Sequence, residues 1–353
     1  MTHRRLPAIA ALAIAAVLLS GCAATSTASE GETSPAEVLR LGYFANVTHA
    51  PALVGLEEGL FTEALGDTAL ETSVFNAGPA TIEALSAGAI DAAYIGPSPA
   101  INTFIKSAGQ SAVIVAGATT GGAALVVRDG IDTVDDLEGT TLATPQLGNT
   151  QDVALRSFLA DEGFETSTTG GGDVTIQPTE NADTLTLFQA GDLDGAWLPE
   201  PWVSRLIIDG GAHVLVNEAD LWDDGIFPTT VLLVNKQFLA EHPQTVSALL
   251  EGHVAAIDWL SSNPDQAAAV INDRISADTG KALADEVITR ALANVTFTAD
   301  PAAATFPTLV AHAVEAGTGT DGDIDGLFDL TVLNAILVEA GGTAVSAAGL
   351  GTE

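Results

Sequence analysis

Seven short segments carry the side chains best suited to holding a small ligand: Asn46-Val47-Thr48-His49, Asn76-Ala77-Gly78, Pro97-Ser98-Pro99, Thr119-Thr120-Gly121-Gly122, Gln146-Leu147-Gly148-Asn149-Thr150-Gln151, Pro199-Glu200-Pro201-Trp202 and Pro228-Thr229-Thr230. Their chemistry is that of amides, hydroxyls and backbone N–H groups. Where such a segment opens a helix, the first amides have no intrahelical partner, and the dipole adds roughly 0.3–1 kcal/mol toward an anion at an exposed site. The candidate ligand-binding residues are therefore Asn46, Thr48, His49, Asn76, Gly78, Ser98, Thr119, Thr120, Gly121, Gln146, Asn149, Thr150, Gln151, Glu200, Thr229 and Thr230, with Trp197 and Trp202 as walls on either side of Glu200. Ser98, Asn149 and Thr150 also suit caps of their own helices. Glu200 also suits a bridge to a backbone amide or an arginine of its own lobe, and both tryptophans suit core packing.

Catalytic patterns are missing from the sequence. There is no Gly-x-Ser-x-Gly, no His-Glu-x-x-His, no phosphate loop ending in Gly-Lys-Ser/Thr, and one cysteine, Cys22. His49 has no carboxylate or second histidine beside it at metal spacing, so no metal and no cofactor is expected. The three lysines, Lys106, Lys236 and Lys281, lie outside the seven segments. A binder is expected rather than an enzyme.

The elements that must position these segments are written twice. Thr81 to Tyr94 aligns with Thr184 to Trp197, and Thr81, Ala87, Gly88, Asp91 and Ala93 recur as Thr184, Ala190, Gly191, Asp194 and Ala196. The same shift pairs Leu39 with Leu142, Asn46 with Asn149, Leu56 with Leu159 and Phe61 with Phe164. In the first copy, strands at Val38–Phe44, Leu70–Phe75 and Ala92–Ile95 alternate with helices at Pro51–Phe61 and before Gly88. In the second, strands at Thr141–Thr144, Val174–Gln177 and Gly195–Leu198 alternate with helices at Thr150–Glu162 and before Gly191. Two βαβαβ units imply two mostly parallel-sheet lobes with helices on the sheet faces, and ligand beyond the strand carboxyl ends. Ala123–Val127 and Thr229–Val234 read as strands, and Asp132–Leu137 as a turn and short helix. Pro243–Leu260, Pro264–Arg274, Lys281–Ala293 and Leu330–Val338 are helical by period. The expected organisation is lobe one at 38–130 and 228–345, lobe two inserted at 131–227, and hinges near Val127–Gly130 and Phe227–Thr230.

At the amino end, His3-Arg4-Arg5 precedes an apolar run from Leu6 to Leu19, too short to span a bilayer comfortably. The Leu19-Ser20-Gly21-Cys22 that follows resembles a bacterial lipoprotein signal, which implies removal of residues 1–21 and acylation of Cys22. The alternative is an ordinary cut near Ala23 or Ala24. Residues 22–37, small and polar, read as a flexible tether. Removal leaves about 330 residues, more than one core usually holds. Acidic residues outnumber basic ones 46 to 11, a net charge of −35 that repels nucleic acid and anionic lipid. With one cysteine, cohesion comes from burial, which 47% hydrophobic content can supply.

The ordered set Leu39-Arg40-Leu41-Gly42-Tyr43-Phe44-Ala45-Asn46, His49-Ala50-Pro51-Ala52-Leu53, Tyr94-Ile95-Gly96-Pro97, Pro145-Gln146-Leu147-Gly148-Asn149-Thr150 and Glu200-Pro201-Trp202 resembles the substrate-binding proteins of ABC importers for sulfonate, nitrate and taurine. The resemblance covers roughly residues 38 to 340. It implies an α/β protein of the type II periplasmic-binding fold, a monomer joined to the outer face of the membrane by its lipid. That protein would close on an organic anion, with aliphatic sulfonate the usual assignment, and hand it to a permease driven by ATPase subunits. The seven segments contain no arginine or lysine, so a sulfonate must be held by neutral donors unless Arg156 or Arg205 reaches in. A neutral heterocycle such as a thiamin-precursor pyrimidine, stacked on Trp197 and Trp202, is the alternative ligand. An exported enzyme on the same fold is the alternative class.

Overall fold

The computed structural model describes residues 34–353. The first lobe opens with β1 (Val38–Phe44), α1 (Ala50–Glu57), α2 (Leu60–Leu65), β2 (Ala69–Phe75), α3 (Gly78–Ser86), β3 (Ala92–Ile95), α4 (Pro97–Lys106) and β4 (Ala112–Gly121). The second runs through β5 (Ala123–Val127), β6 (Thr141–Thr144), α5 (Thr150–Asp161), β7 (Thr175–Pro178), α6 (Asn181–Ala190), β8 (Gly195–Pro199), α7 (Trp202–Ile208) and β9 (His213–Asn217). The chain returns on β10 (Pro228–Asn235). It then adds α8 (Lys236–Glu241), α9 (Pro243–Ser262), α10 (Pro264–Thr279), α11 (Asp285–Leu292), β11 (Val295–Phe297), α12 (Phe306–Glu315), β12 (Phe328–Asp329), α13 (Thr331–Glu339) and β13 (Gly351–Thr352).

Among the described residues these strands form two sheets. One has the order β13-β12-β4-β10-β3-β1-β2 with β11 on β4, and the other the order β7-β6-β8-β5-β9. The repeat is visible in the topology. In each lobe the first strand of the copy lies between the second and third, parallel to both. An antiparallel strand then closes the set, β10 beside β3 and β5 beside β8. Asp91 and Asp194 keep the same job in both copies: each carboxylate accepts a backbone N–H from the neighbouring strand, Arg40 at 2.9 Å and Thr141 at 2.8 Å. Gly88 and Gly191 end their helices in the left-handed region, at φ 70° and 87°, where a side chain is costly.

The continuous apolar runs of β4 and β10 are buried on both faces, as central strands must be. In lobe two, β5 shows period-two packing: Ala124 and Val126 face α6 and α7, whereas Leu125 and Val127 face α5.

Several boundaries differ from expectation. β5 pairs with β8 and β9, so it belongs to lobe two and not to lobe one. The first crossing therefore sits at Gly121-Gly122, upstream of the expected 127–130. Both glycines have positive φ (75° and 76°), and the two crossings are tied by Gly121 N–H donating to Phe227 O at 3.1 Å. Lobe one continues past residue 345, because β13 pairs with β12. At the other end the expected tether is already part of the body by Ala36: its N–H donates to Thr245 Oγ1 at 2.8 Å and its carbonyl accepts from Thr68 Oγ1 at 2.7 Å. The signal segment, Cys22 and tether residues 23–33 lie outside the described residues. Elements that local pattern did not mark include α4, β4, α7, β9, α8, β11, α12, β12 and β13.

Candidate ligand cleft

Each lobe turns helix N-termini toward the other. Lobe one presents the turn at Asn46 and the starts of α3 and α4, and lobe two the starts of α5 and α6. None of these N-termini is capped by its own N-cap side chain. Instead the caps cross between lobes: Asn149 Oδ1 accepts from Gly78 N–H at 3.1 Å, and Thr150 Oγ1 accepts from Ser98 N–H at 3.4 Å. The counterpart of Asn149 under the internal repeat, Asn46, also bonds across, its Oδ1 accepting from Trp202 Nε1 at 3.0 Å. Asn76 Nδ2 donates to Glu180 Oε2 at 3.3 Å. These contacts draw the lobes together around a cavity of about 20 Å³, room for about one water.

Eight of the expected residues line that cavity: Asn46, Thr48, His49, Asn76, Asn149, Thr150, Gln151 and Thr229. Phe44, Gly96, Pro145, Pro199 and Asn181 complete it, with no lysine or arginine. His49 stacks on Phe44 at 4.3 Å, and its Nδ1 accepts Phe44 N–H at 3.2 Å, which leaves Nε2–H as its donor. Burial pushes its pKa down to about 3, so the ring is neutral at pH 7. Gln151 Oε1 accepts from Asn149 Nδ2 at 3.0 Å and orients it. The loop before α5 is held by Asp152, which is fully buried: it accepts from Thr144 Oγ1 (2.8 Å), Gly148 N–H (2.9 Å) and Arg156 Nε (3.0 Å). Buried polar atoms left without a partner include Ser98 Oγ, Asn181 Oδ1 and Thr230 Oγ1. Unspent capacity of this kind is costly in a finished core and suits a site that awaits a polar ligand.

The other expected residues divide three ways. Gly78, Ser98 and Trp202 stand beside the cavity and act through the cross-lobe bonds given above. Thr119 Oγ1 donates to Thr48 O at 2.7 Å and supports the first loop, while Thr230, opposite Thr119 in the sheet, is buried. The remainder are elsewhere. Thr120, Gly121 and Glu200 line a separate groove of about 730 Å³ on the far side of the crossings. There Glu200, almost wholly buried, pairs with Arg290 at 3.0 Å and accepts from Ser204 N–H and Asn294, and burial raises its pKa. Its arginine comes from α11 of the opposite lobe rather than from its own. Trp197 is fully buried between β8 and α5, its Nε1 donating to Glu218 at 2.7 Å, because strand alternation turns it into the sheet face that α5 covers. Gln146 is exposed, and only its carbonyl is used, by Asn149 N–H. Neither arginine reaches the cavity: Arg156 is buried on Asp152 and Ser167 O, and Arg205 stacks on Trp202.

Of the lining residues outside the seven segments (Phe44, Gly96, Pro145 and Asn181), Asn181 is the one with a hydrogen-bonding side chain. The repeat could have supplied it, since the shift that pairs Asn46 with Asn149 also pairs Asn76-Ala77-Gly78 with Thr179-Glu180-Asn181.

Two mixed sheets joined by two crossings, with helix N-termini facing each other over a polar cavity, define a two-lobed protein of the type II periplasmic-binding fold. The chain belongs to the NMT1-like family, whose model matches residues 32–274. It is similar to the taurine-binding periplasmic protein of Escherichia coli, at 27% identity over 215 residues covering 61% of this chain and 64% of that protein. It is also similar to the nitrate/nitrite binding protein NrtA of Nostoc sp., at 23% over 330 residues covering 81% and 72%. Among solved structures, the alkanesulfonate-binding protein SsuA from Xanthomonas axonopodis pv. citri, bound to MOPS, shares the fold. Its TM-score is 0.66 at 22% identity, covering 82% of this chain and 96% of that one.

Proposed function

We propose that this protein is the extracytoplasmic binding component of an ABC importer, which captures a small organic anion, an aliphatic sulfonate, between its lobes and delivers it to a permease. The observation that carries the reading is the exchange of caps across the cleft. Gly78 N–H and Ser98 N–H, both at helix starts, already hold oxygens of Asn149 and Thr150, and the oxygens of a sulfonate are the same kind of acceptor with a full charge behind them. With His49 neutral and no cationic side chain in the lining, selectivity rests on oriented neutral donors. Such donors take an anion without the desolvation that a buried arginine would require. The names of the relatives support the same ligand class. The stacking alternative has lost its support, since Trp197 is in the core and Trp202 is occupied by Asn46 and Arg205.

Export and anchoring through Cys22 belong to the same proposal. The test is calorimetric titration of the purified mature protein with ethanesulfonate, taurine, nitrate and sulfate, beside mass spectrometry of any ligand carried through purification. Saturable binding of a sulfonate, lost when Asn149 and Thr150 are both replaced by alanine, is expected. Binding of a neutral heterocycle alone would overturn the ligand class, and turnover of the bound compound would overturn the assignment as a binder.

A further inference from the structure

A second cavity, of about 160 Å³, lies between the lobes along α5 and shares Thr150 with the cleft. Phe158, Leu221, Trp222 and Leu309 line it together with Glu218. Glu218 is 2% exposed. Its Oε2 accepts Trp197 Nε1–H at 2.7 Å, and the Trp222 indole also eases its charge. Among the described residues no lysine, arginine or histidine forms an ion pair with it. The other titratable groups of the lining are Asp161 at the end of α5, Glu162 just after it and His312 on α12; burial lowers the pKa of His312, against the pull of Asp161 and Glu315. The cavity therefore joins an aromatic wall to three carboxylates with no lysine or arginine in its lining, and its buried carboxylate lacks the counter-charge that such burial normally demands.

We infer that this cavity takes a protonated amine, and that the cleft ligand is an amphoteric molecule with its anionic end at the helix starts and its ammonium at Glu218. Two features point there. Carboxylate and aromatic faces together are what an ammonium binds, and a net charge of −35 repels a plain anion while leaving a zwitterion unopposed. The lining follows α5 from Thr150 to Phe158, a stretch of about 12 Å, so the inference calls for a spacer of several methylenes rather than of two. Burial holds the Glu218 carboxyl up at about 7 when the cavity has no cation, and an ammonium would draw it into the ionised form. The inference rests on the cleft as the anion site, and its test separates the two.

The experiment compares ω-aminoalkanesulfonates, from aminoethane- to aminooctanesulfonate, with the same alkanesulfonates lacking the amine. Affinities are read by calorimetry on wild type, Glu218→Gln and Leu221→Lys. Glu218→Gln keeps an acceptor for Trp197. Leu221 is exposed, so its replacement by lysine sets a fixed cation at the cavity mouth without disturbing the core. The expected result is an amine advantage of about tenfold or more for the longer spacers in wild type, absent in both variants, with the amine-free sulfonates unaffected by Glu218→Gln. Equal affinities with and without the amine, or an advantage that survives in Glu218→Gln, would overturn the inference and leave the cleft reading standing. If no sulfonate binds at all, the cleft reading fails, and thermal shifts with hexylammonium chloride against sodium chloride decide the cavity by itself. A shift in wild type that is lost in Glu218→Gln supports the amine site, and no shift refutes it.

Discussion

Gly96→Ala is a wedge that tests whether approach of the lobes is part of binding. Gly96 precedes α4 with φ −68° and ψ 152°, extended backbone open to any residue, so the change introduces no backbone strain within lobe one. An added Cβ would lie 2.3 Å from Thr150 Oγ1 and 3.3 Å from Thr150 Cβ, both on the opposite lobe, and its next neighbour, Thr229 O, is at an ordinary 3.7 Å. To reach normal contact, the lobes must part by about 1 Å or Thr150 must turn away and give up Ser98 N–H. Overpacking of this size costs about 1–3 kcal/mol, which falls on the closed form alone and corresponds to roughly 5- to 150-fold weaker binding. Calorimetric affinity for an aliphatic sulfonate, with thermal midpoints measured without ligand, is the assay. Thr150→Ala removes the 2.3 Å contact, so in the Gly96→Ala background its own cost should shrink or change sign, a coupling that a double-mutant cycle reads directly. Wild-type affinity in Gly96→Ala, or an equal loss with and without Thr150, would refute the reasoning.

Four further outcomes are expected. Closure about Gly121-Gly122 and Ile226-Phe227 should appear in small-angle scattering as a smaller radius of gyration with saturating ligand, with residues 123–217 moving as one body; an unchanged radius would end the hinge mechanism. Gly122→Ala should lower stability by about 1–3 kcal/mol, because φ is 76° and the new Cβ would lie 2.4 Å from Val295 Cγ1, and denaturant titration checks it. His49 and His253 are buried and neutral, with pKa values pushed down to about 3 and about 4. Their contribution is full above the unfolded value near 6.5 and is lost as pH falls toward those values, about 2 kcal/mol each by pH 5. Glu218, raised to about 7, acts in the opposite sense: its contribution is present below about 4.5 and lost as pH rises through 7. Urea midpoints of Glu218→Gln should therefore fall from pH 7 to pH 5, and a flat profile would contradict the histidine assignment. Finally, Cys22→Ala should release the protein from membranes without altering affinity; retention after a salt wash would refute the anchor.

Much of the scaffold was legible in the chain because its signals are local. The strands Val38–Phe44, Ala92–Ile95, Ala123–Val127 and Thr141–Thr144 begin and end where their apolar runs and turn residues say they do, and the internal repeat announced two lobes of one topology. The loops that open helices could be named for the same reason, since amide and hydroxyl residues ahead of an apolar period mark a helix start wherever it lies.

What only the tertiary structure decided was which partner each of those groups meets. Asn149 has the sequence of a cap for α5 and the geometry of a cap for α3, because another lobe brings Gly78 N–H closer than its own helix does. Trp197 and Glu200 are three residues apart on one strand and its exit, yet one is core and the other faces the far groove, since pleat and sheet coverage set their directions. The same holds for β5, whose apolar run suits either sheet until its neighbours select one. Sequence fixes which hydrogen bonds and burials a segment can make, but their free energy depends on groups tens to hundreds of residues away, and only the folded chain brings those into reach.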